Sequence, residues 1–205
     1  MTGGNRGRGR PDTGVREAIL AATEAILAEA GVARLSTKEI ARRASAAESS
    51  IFYHFTDRLG LLQAVVRLHL PLYRDVAEEV VRRAGQGSLR DNLALLLDGL
   101  DAYYRRITPI LAAVQADGDL RARFAERGAD GAVGPQRALL PIVDYLAEER
   151  RLGRVRADLD LEPAALVIVG TAYQRAVFRR LSGVDAPAAD TARVVDTLLP
   201  ALIAR

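Results

Sequence analysis

Apolar residues recur at spacings of three and four along almost the whole chain, and no stretch alternates in a strand-like period. That pattern predicts an all-α protein. The first helix is predicted from about Thr13 to Ala30, with Val15, Ile19, Ala22 and Ile26 on one face and Gly31 as its stop. Ser36 opens a second, short helix ending near Ala44. Its start, Ser36-Thr37-Lys38-Glu39, fits a capping box, in which the serine hydroxyl and the glutamate carboxylate satisfy free backbone N–H groups. A tight turn, Ser45-Ala46-Ala47, leads to a third helix of about two turns, Glu48 to His54. A fourth, capped by Asp57, runs to about Arg83. Pro71 lies inside it, removes one backbone hydrogen bond and predicts a kink.

The second half of the chain repeats the helical period. Ser88 caps a helix to about Arg106, and Thr108-Pro109 starts a separate short one, because proline suits a first turn. Asp117-Gly118-Asp119 breaks it. A short helix covers Leu120 to Arg127, followed by a glycine-rich loop through Gly134 and a long helix from about Pro135 to Arg151. Gly153 to Asp160 is a linker. Glu162-Pro163 opens a strongly apolar helix to Leu181, and a last helix runs from about Asp190 to Ile203.

Composition narrows the function. No apolar run approaches the roughly 18–20 residues that span a bilayer, so no membrane partner is expected. The basic start has no apolar core behind it and does not read as a secretory signal, so a cytoplasmic, nucleoid-associated location is expected. The absence of cysteine excludes disulfides, thiolate metal sites and cysteine nucleophiles. His54 and His69 are the only histidines, and no phosphate loop, nucleophile elbow or HExxH helix appears. No cofactor, metal or catalytic residue is expected. The acid pairs Glu78-Glu79 and Glu148-Glu149 sit among arginines and read as solvated faces. Arg6, Arg8 and Arg10 precede every acid, so the glycine/arginine arm of residues 1–11 carries a charge equal to the net +3 of the chain.

Three short helices followed by a long one, with a three- to four-residue turn between the second and third, is helix-turn-helix geometry. Ala41, Ala44 and Ala46 allow a close crossing. Three segments carry a more specific likeness: Ser36-Thr37-Lys38-Glu39-Ile40-Ala41-Arg42-Arg43-Ala44, Ser49-Ser50-Ile51-Phe52-Tyr53-His54-Phe55, and Asp57-Arg58 with Leu61-Leu62. Together they resemble the signature of the TetR family of transcription regulators. Five positions depart from it: Ser45-Ala46 stands for Gly-Val, Ala47 for a capping serine, Phe52 for tyrosine and Arg58 for lysine.

The resemblance implies a DNA-binding domain over residues 12–60 and a ligand-binding and dimerisation domain over 61–205. It implies base and sugar contacts from Glu48, Ser49, Ser50 and Tyr53, with Phe52 beside them and Ile51 and Phe55 in the core. Phosphate contacts are implied for His54 and Arg58, and for Ser36, Thr37 and Lys38 at a helix N-terminus. Arg8-Gly9-Arg10-Pro11 also resembles a minor-groove hook on A·T-rich DNA. Dimerisation is implied for Leu166, Val169, Gly170, Tyr173, Val177 and Leu181 on one helix and Val195, Leu198, Leu199 and Leu202 on another. A ligand pocket is implied among Tyr73, Tyr103, Tyr104, Gln115, Phe124, Tyr145, Tyr173, Gln174 and Phe178. With few aromatics it is expected to be aliphatic and wide, for a hydrophobic or amphipathic effector. The expected protein is a homodimeric repressor of double-stranded DNA, released by a small molecule. A ligand-independent activator or architectural factor is the alternative, and a helical enzyme the remote one.

Overall fold

The computed structural model describes residues 12–128, 139–184 and 190–203. The arginine arm, the glycine-rich loop through Gly134, the first residues of the helix predicted from Pro135 and most of the loop before the last helix lie outside them. Among the described residues the chain is all-α: α1 Asp12–Ala30, a 3₁₀ turn Val32–Arg34, α2 Thr37–Ala44, α3 Glu48–Phe55, α4 Arg58–Arg82, α5 Leu89–Gln115, α6 Gly118–Gly128, α7 Leu140–Arg151, α8 Leu161–Ser182 and α9 Thr191–Leu202. The chain divides into two compact units. One holds residues up to Leu68 together with Pro109–Arg123; the other holds His69–Thr108 and the chain from Phe124 onward.

In the first unit, α1 buries Ile19, Leu20, Ile26 and Leu27, while Val15 is only half-buried. Against this face pack α2, which buries Ile40, Ala41 and Ala44, and α3, which buries Ile51 and Phe55. The start of α4 buries Leu59, Leu61, Leu62 and Val65. Thr23, a polar side chain buried in α1, donates its hydroxyl to the Ile19 carbonyl at 2.8 Å, so its burial leaves no donor unmet. Ser36 caps α2 by accepting the Glu39 N–H at 3.2 Å. The expected return bond from the Glu39 carboxylate is replaced, because that carboxylate receives Arg42 and Arg43 instead.

The turn after α2 explains one departure from the family pattern. Ser45 sits at φ 50°, ψ 43°, the left-handed conformation in which glycine is unstrained. Ala46 N–H closes the turn on the Ala41 carbonyl at 3.0 Å. Where α3 gives way to α4, Asp57 accepts the Gly60 N–H at 2.6 Å, as expected for a cap. A Cβ on Gly60 would stand 2.2 Å from the Phe55 carbonyl oxygen, so glycine permits this close approach.

In the second unit α5 buries Leu93, Leu96, Leu97 and Leu100, and α7 packs on α8. Two sequence expectations are corrected here. The predicted break at Thr108-Pro109 is absent, and α5 runs through Pro109 to Gln115. Proline inside a helix costs about 3 kcal/mol. Burial of Ile107, Ile110, Ala113 and Val114 on both sides of it offsets that, and the Thr108 hydroxyl donates to the Tyr104 carbonyl at 2.5 Å. The second correction concerns Glu149, read as solvated but fully buried. Ile142, Tyr145, Leu146 and Glu149 share the inward face of α7, so the carboxylate is carried inside. Arg154 meets it at 3.0 Å and the Gly85 N–H at 3.4 Å. The other three acids keep to expectation in being exposed or partly exposed; Glu79 pairs with Arg82 and Arg83, and Glu148 with Arg151.

A Ser45→Gly substitution is expected to stabilise the protein by about 1 kcal/mol, since the left-handed penalty on an L side chain is removed. Urea unfolding followed by circular dichroism measures it; an unchanged or lower midpoint contradicts the assignment of strain to that turn.

Candidate nucleic-acid interface

The candidate surface is a consequence of how α3 is anchored. Ile51 and Phe55, four apart, point inward at 1% and 5% exposure. The opposite side of the same two turns must then face out. Phe52 is 53% and Tyr53 76% exposed, and Glu48 and Ser49 are exposed beside them. Ser50 and His54 are half-buried at the edges. The Tyr53 and His54 rings stand edge to face at 5.1 Å between centroids. Phe55 is covered by the Arg16 guanidinium, 5.4 Å from its ring centre. An exposed phenyl and phenol on a short helix are costly to leave in water and suit the apolar and sugar edges of a groove.

Ala47, at the N-cap of α3, makes no side-chain cap, as its identity implies. Glu48 supplies negative charge to the first turn instead, which favours the positive end of the helix dipole. Its carboxylate accepts the Thr37 hydroxyl, tying the start of α3 to the start of α2. Two residues expected to touch DNA independently are therefore partners of one another. Ser36 and Lys38 are exposed at the α2 N-terminus, and Thr37 is half-buried.

The outer side of α2 is held by charge. Glu39 accepts both donors of Arg42 at 2.8 and 2.7 Å and Arg43 at 2.9 Å, while Arg43 reaches Glu29 of α1 at 2.6 Å. The hydrogen bonds from Arg42, then Arg43, hold the Glu39 carboxyl down from 4.5 to about 2. Arg58, half-buried, donates to Asp117 at the start of α6 at 3.3 Å, and Asp57 receives Arg123 of α6 at 3.4 Å. No periodicity signals the pairs Arg43–Glu29, Arg58–Asp117 and Asp57–Arg123, whose members lie 14, 59 and 66 residues apart. Arg6, Arg8 and Arg10 lie outside the described residues.

In the second unit, four of the residues expected around a ligand form a continuous run of rings. Tyr73 meets Tyr103 at 5.4 Å, Tyr103 meets Tyr104 at 5.3 Å and Tyr104 meets Tyr173 at 5.5 Å. These side chains, far apart in sequence, converge from α4, α5 and α8. Burial pushes the Tyr73 hydroxyl up to about 12 and raises those of Tyr103 and Tyr104, so each remains a donor at neutral pH. Tyr145 is buried separately, near Glu149, and Phe124 is half-buried. Gln115 is exposed and belongs to the first unit. Gln174 and Phe178 are exposed on the outward side of α8, since the inward register takes Ala172, Arg175 and Ala176. A groove of about 680 Å³ lined by Glu79, Arg82, Arg83, Gln86, Gly87, Asp91 and Asn92 contains none of the expected ligand residues.

The expected dimer residues divide in the same way. Leu166 and Leu181 are exposed, at 59% and 80%. Gly170, Tyr173, Val177, Leu198 and Leu199 are half-buried. Val169, Val195 and Leu202 are buried within the protomer, so they serve its own core. Val167 and Phe178, which the sequence reading left out of this surface, join Leu166 and Leu181 on the outer side of α8.

Residues 19–65 match the family described as bacterial regulatory proteins, tetR family. No curated protein matches the sequence. Among solved structures, a TetR-family transcriptional regulator from Mesorhizobium loti MAFF303099 superposes with a TM-score of 0.68 at 17% identity, covering 95% of this chain and 100% of that one. SmeT, the repressor of the Stenotrophomonas maltophilia multidrug efflux pump SmeDEF, gives 0.63 at 21% identity, with 92% and 90% covered. NalD, the secondary repressor of the MexAB-OprM multidrug efflux pump in Pseudomonas aeruginosa, gives 0.60 at 19%, with 92% and 95% covered.

The Glu39 geometry makes a pH prediction. Its folded pKa lies below its ordinary value, so its stabilising contribution is complete above pH 4.5 and is lost as pH falls through about 2. Glu39→Gln is expected to lower the urea midpoint at pH 7, with the gap to the parent protein closing between those two values. A gap that persists at pH 2 contradicts the charge pairing.

Proposed function

We propose, for a chain that belongs to the tetR family of bacterial regulatory proteins, that two copies bind a palindromic operator and repress transcription until a small molecule releases them. The family's members are DNA-binding transcription regulators and not enzymes. The observation that carries the reading is the outward face of α3, where Ser49, Phe52 and Tyr53 stand exposed while Ile51 and Phe55 lock the helix from behind. A helix held in this way fits the major groove of B-DNA. Ser36 and Lys38 beside it, Arg58 after it and the arm arginines Arg6, Arg8 and Arg10 are suited to phosphate contact.

Residues 12–60 are assigned to reading and 61–205 to ligand binding and dimerisation, with Pro109–Arg123 clustering with the reading unit. The effector is assigned to the tyrosine run of Tyr73, Tyr103, Tyr104 and Tyr173, which suits a small amphipathic molecule with an aromatic or planar part. NalD and SmeT are repressors, and repression by occupation of promoter DNA is assigned here by that likeness. An effector releases the protein only by favouring the conformation that does not bind DNA.

The dimer is assigned to the outer side of α8. Leu166, Val167, Phe178 and Leu181 recur there at helical spacing, all more than half exposed, with Gly170 between them. Such a stripe is costly in water and is removed from it by the same stripe of a twofold partner.

Selection of bound duplexes from a random pool is expected to return an inverted repeat with half-sites roughly 34 Å apart. Recovery of no common sequence contradicts the reading. Replacing both Phe178 and Leu181 with glutamate is expected to give a monomer by analytical ultracentrifugation, with operator affinity lost but helicity retained. A variant that sediments as the parent dimer rejects the α8 interface.

A further inference from the structure

We infer that Arg58 is shared between Asp117 and the DNA backbone, so that the carboxylate at the start of α6 sets how firmly the first residue of α4 grips a phosphate. The inference rests on the DNA-binding reading above, and its geometry lies wholly within the first unit.

The starts of α4 and α6 are cross-linked by charge. Asp57 Oδ1 caps α4 by accepting the Gly60 N–H, while its Oδ2 receives Arg123 of α6. Asp117 Oδ1 caps α6 by accepting the N–H groups of Asp119 and Leu120, both at 3.1 Å, while its Oδ2 receives Arg58 of α4. Each aspartate therefore uses one oxygen on its own helix and offers the other to an arginine of the second helix. Arg58 is also closely tied to the reading helix. Thr56, at φ 64°, makes the turn, Asp57 N–H bonds the Phe55 carbonyl at 2.6 Å, and Gly60 is pressed against that same carbonyl. The backbone from Phe55 to Gly60 leaves little room for α4 to shift its first turn relative to α3.

The Arg58 guanidinium is only partly committed. Its bond to Asp117 is long, at 3.3 Å, and the side chain retains 37% exposure. Its Nε is buried and has no hydrogen-bond partner. Compare Arg42, which holds Glu39 with both donors at 2.7 and 2.8 Å. A long, half-exposed pair of this kind is weak, and because Nε is buried the donor pair open to a phosphate is Nη1 with Nη2, of which Nη1 is the one on Asp117. Binding a phosphate in that manner requires Arg58 to loosen from Asp117. Asp117 is then a competing acceptor that holds Arg58 back from DNA. It also couples grip on the backbone to the docking of α6 on the start of α4.

The test is a double-mutant cycle on the full chain, read by fluorescence anisotropy with the duplex recovered from selection, or with a mixed duplex of about 30 base pairs at low salt. Asp117→Asn removes the charge and keeps an equally good cap; Asp117→Ser is a second capping variant if thermal melting shows that the first perturbs folding. Arg58→Ala is expected to bind more weakly, with a salt slope smaller by about 0.9. Asp117→Asn is expected to bind roughly 1.5- to 5-fold more tightly than the parent, the span of an exposed ion pair released. In the Arg58→Ala background that gain is expected to vanish. An equal gain with and without Arg58 reduces Asp117 to a general repulsive charge and overturns the inference, as does weaker binding by Asp117→Asn. If the parent protein binds no duplex, the functional reading itself fails, and this inference with it.

Discussion

The seating of Ile51 and Phe55 against α1 and α2 is the constraint on which the exposed face of α3 depends. An eight-residue helix has no stability of its own in water, because nucleation is costly and too few backbone bonds repay it. Burying two large side chains contributes about 1.5–3 kcal/mol each, which is enough to hold α3 helical and to fix its rotation. Once the rotation is fixed, exposure of Ser49, Phe52 and Tyr53 follows from the 3.6-residue repeat alone. The left-handed Ser45 and the closely approached Gly60 then fix the two ends of the helix in space. The sequence tolerates strain at the first of these because the packed core around Ile19, Ile26 and Ile40 holds both flanking helices in place.

Charges in this protein work in two settings. On the surface, Glu39 with Arg42 and Arg43, and Glu29 with Arg43, orient side chains around α2 while remaining open to water and salt. Inside the second unit, Glu149 and Asp101 are almost wholly removed from solvent, and each is met by arginine: Arg154 for the first, Arg105, Arg175 and Arg179 for the second. Buried ions of this kind contribute little net stability against an apolar alternative, yet losing one partner strands the other. Asp101 also fixes α8 against α5, which sets which side of α8 faces outward.

The first four helices were legible in sequence because their signals are local. Ser36 and Asp57 are caps, Ala47 is a missing cap, and Ile51 and Phe55 share a face; each depends on residues within one turn. Helix ends there agree with the sequence reading to within about two residues. The second half was less legible because its determinants are distant. Pro109 looked like a start because its local chemistry favours one, and only tertiary burial around it carries α5 through. Glu149 looked solvated because arginines flank it in sequence, whereas its position four residues after Tyr145 decides its direction. Phe178 looked like part of a pocket because aromatics are common in pockets, yet the register of α8 turns it outward. The tyrosine run and the pairing of Asp117 with Arg58 join residues from separate helices, and no periodicity encodes such meetings.

Amide chemical-shift mapping tests the central claim most directly, with labelled full-length protein titrated with the selected duplex. The account predicts that the largest changes fall on Ser36 to Lys38 and Ser49 to Tyr53, while the amides of Ile19, Ile26 and Leu27 behind them move little. Shifts concentrated on α8 or on the tyrosine run, with α3 silent, would contradict it.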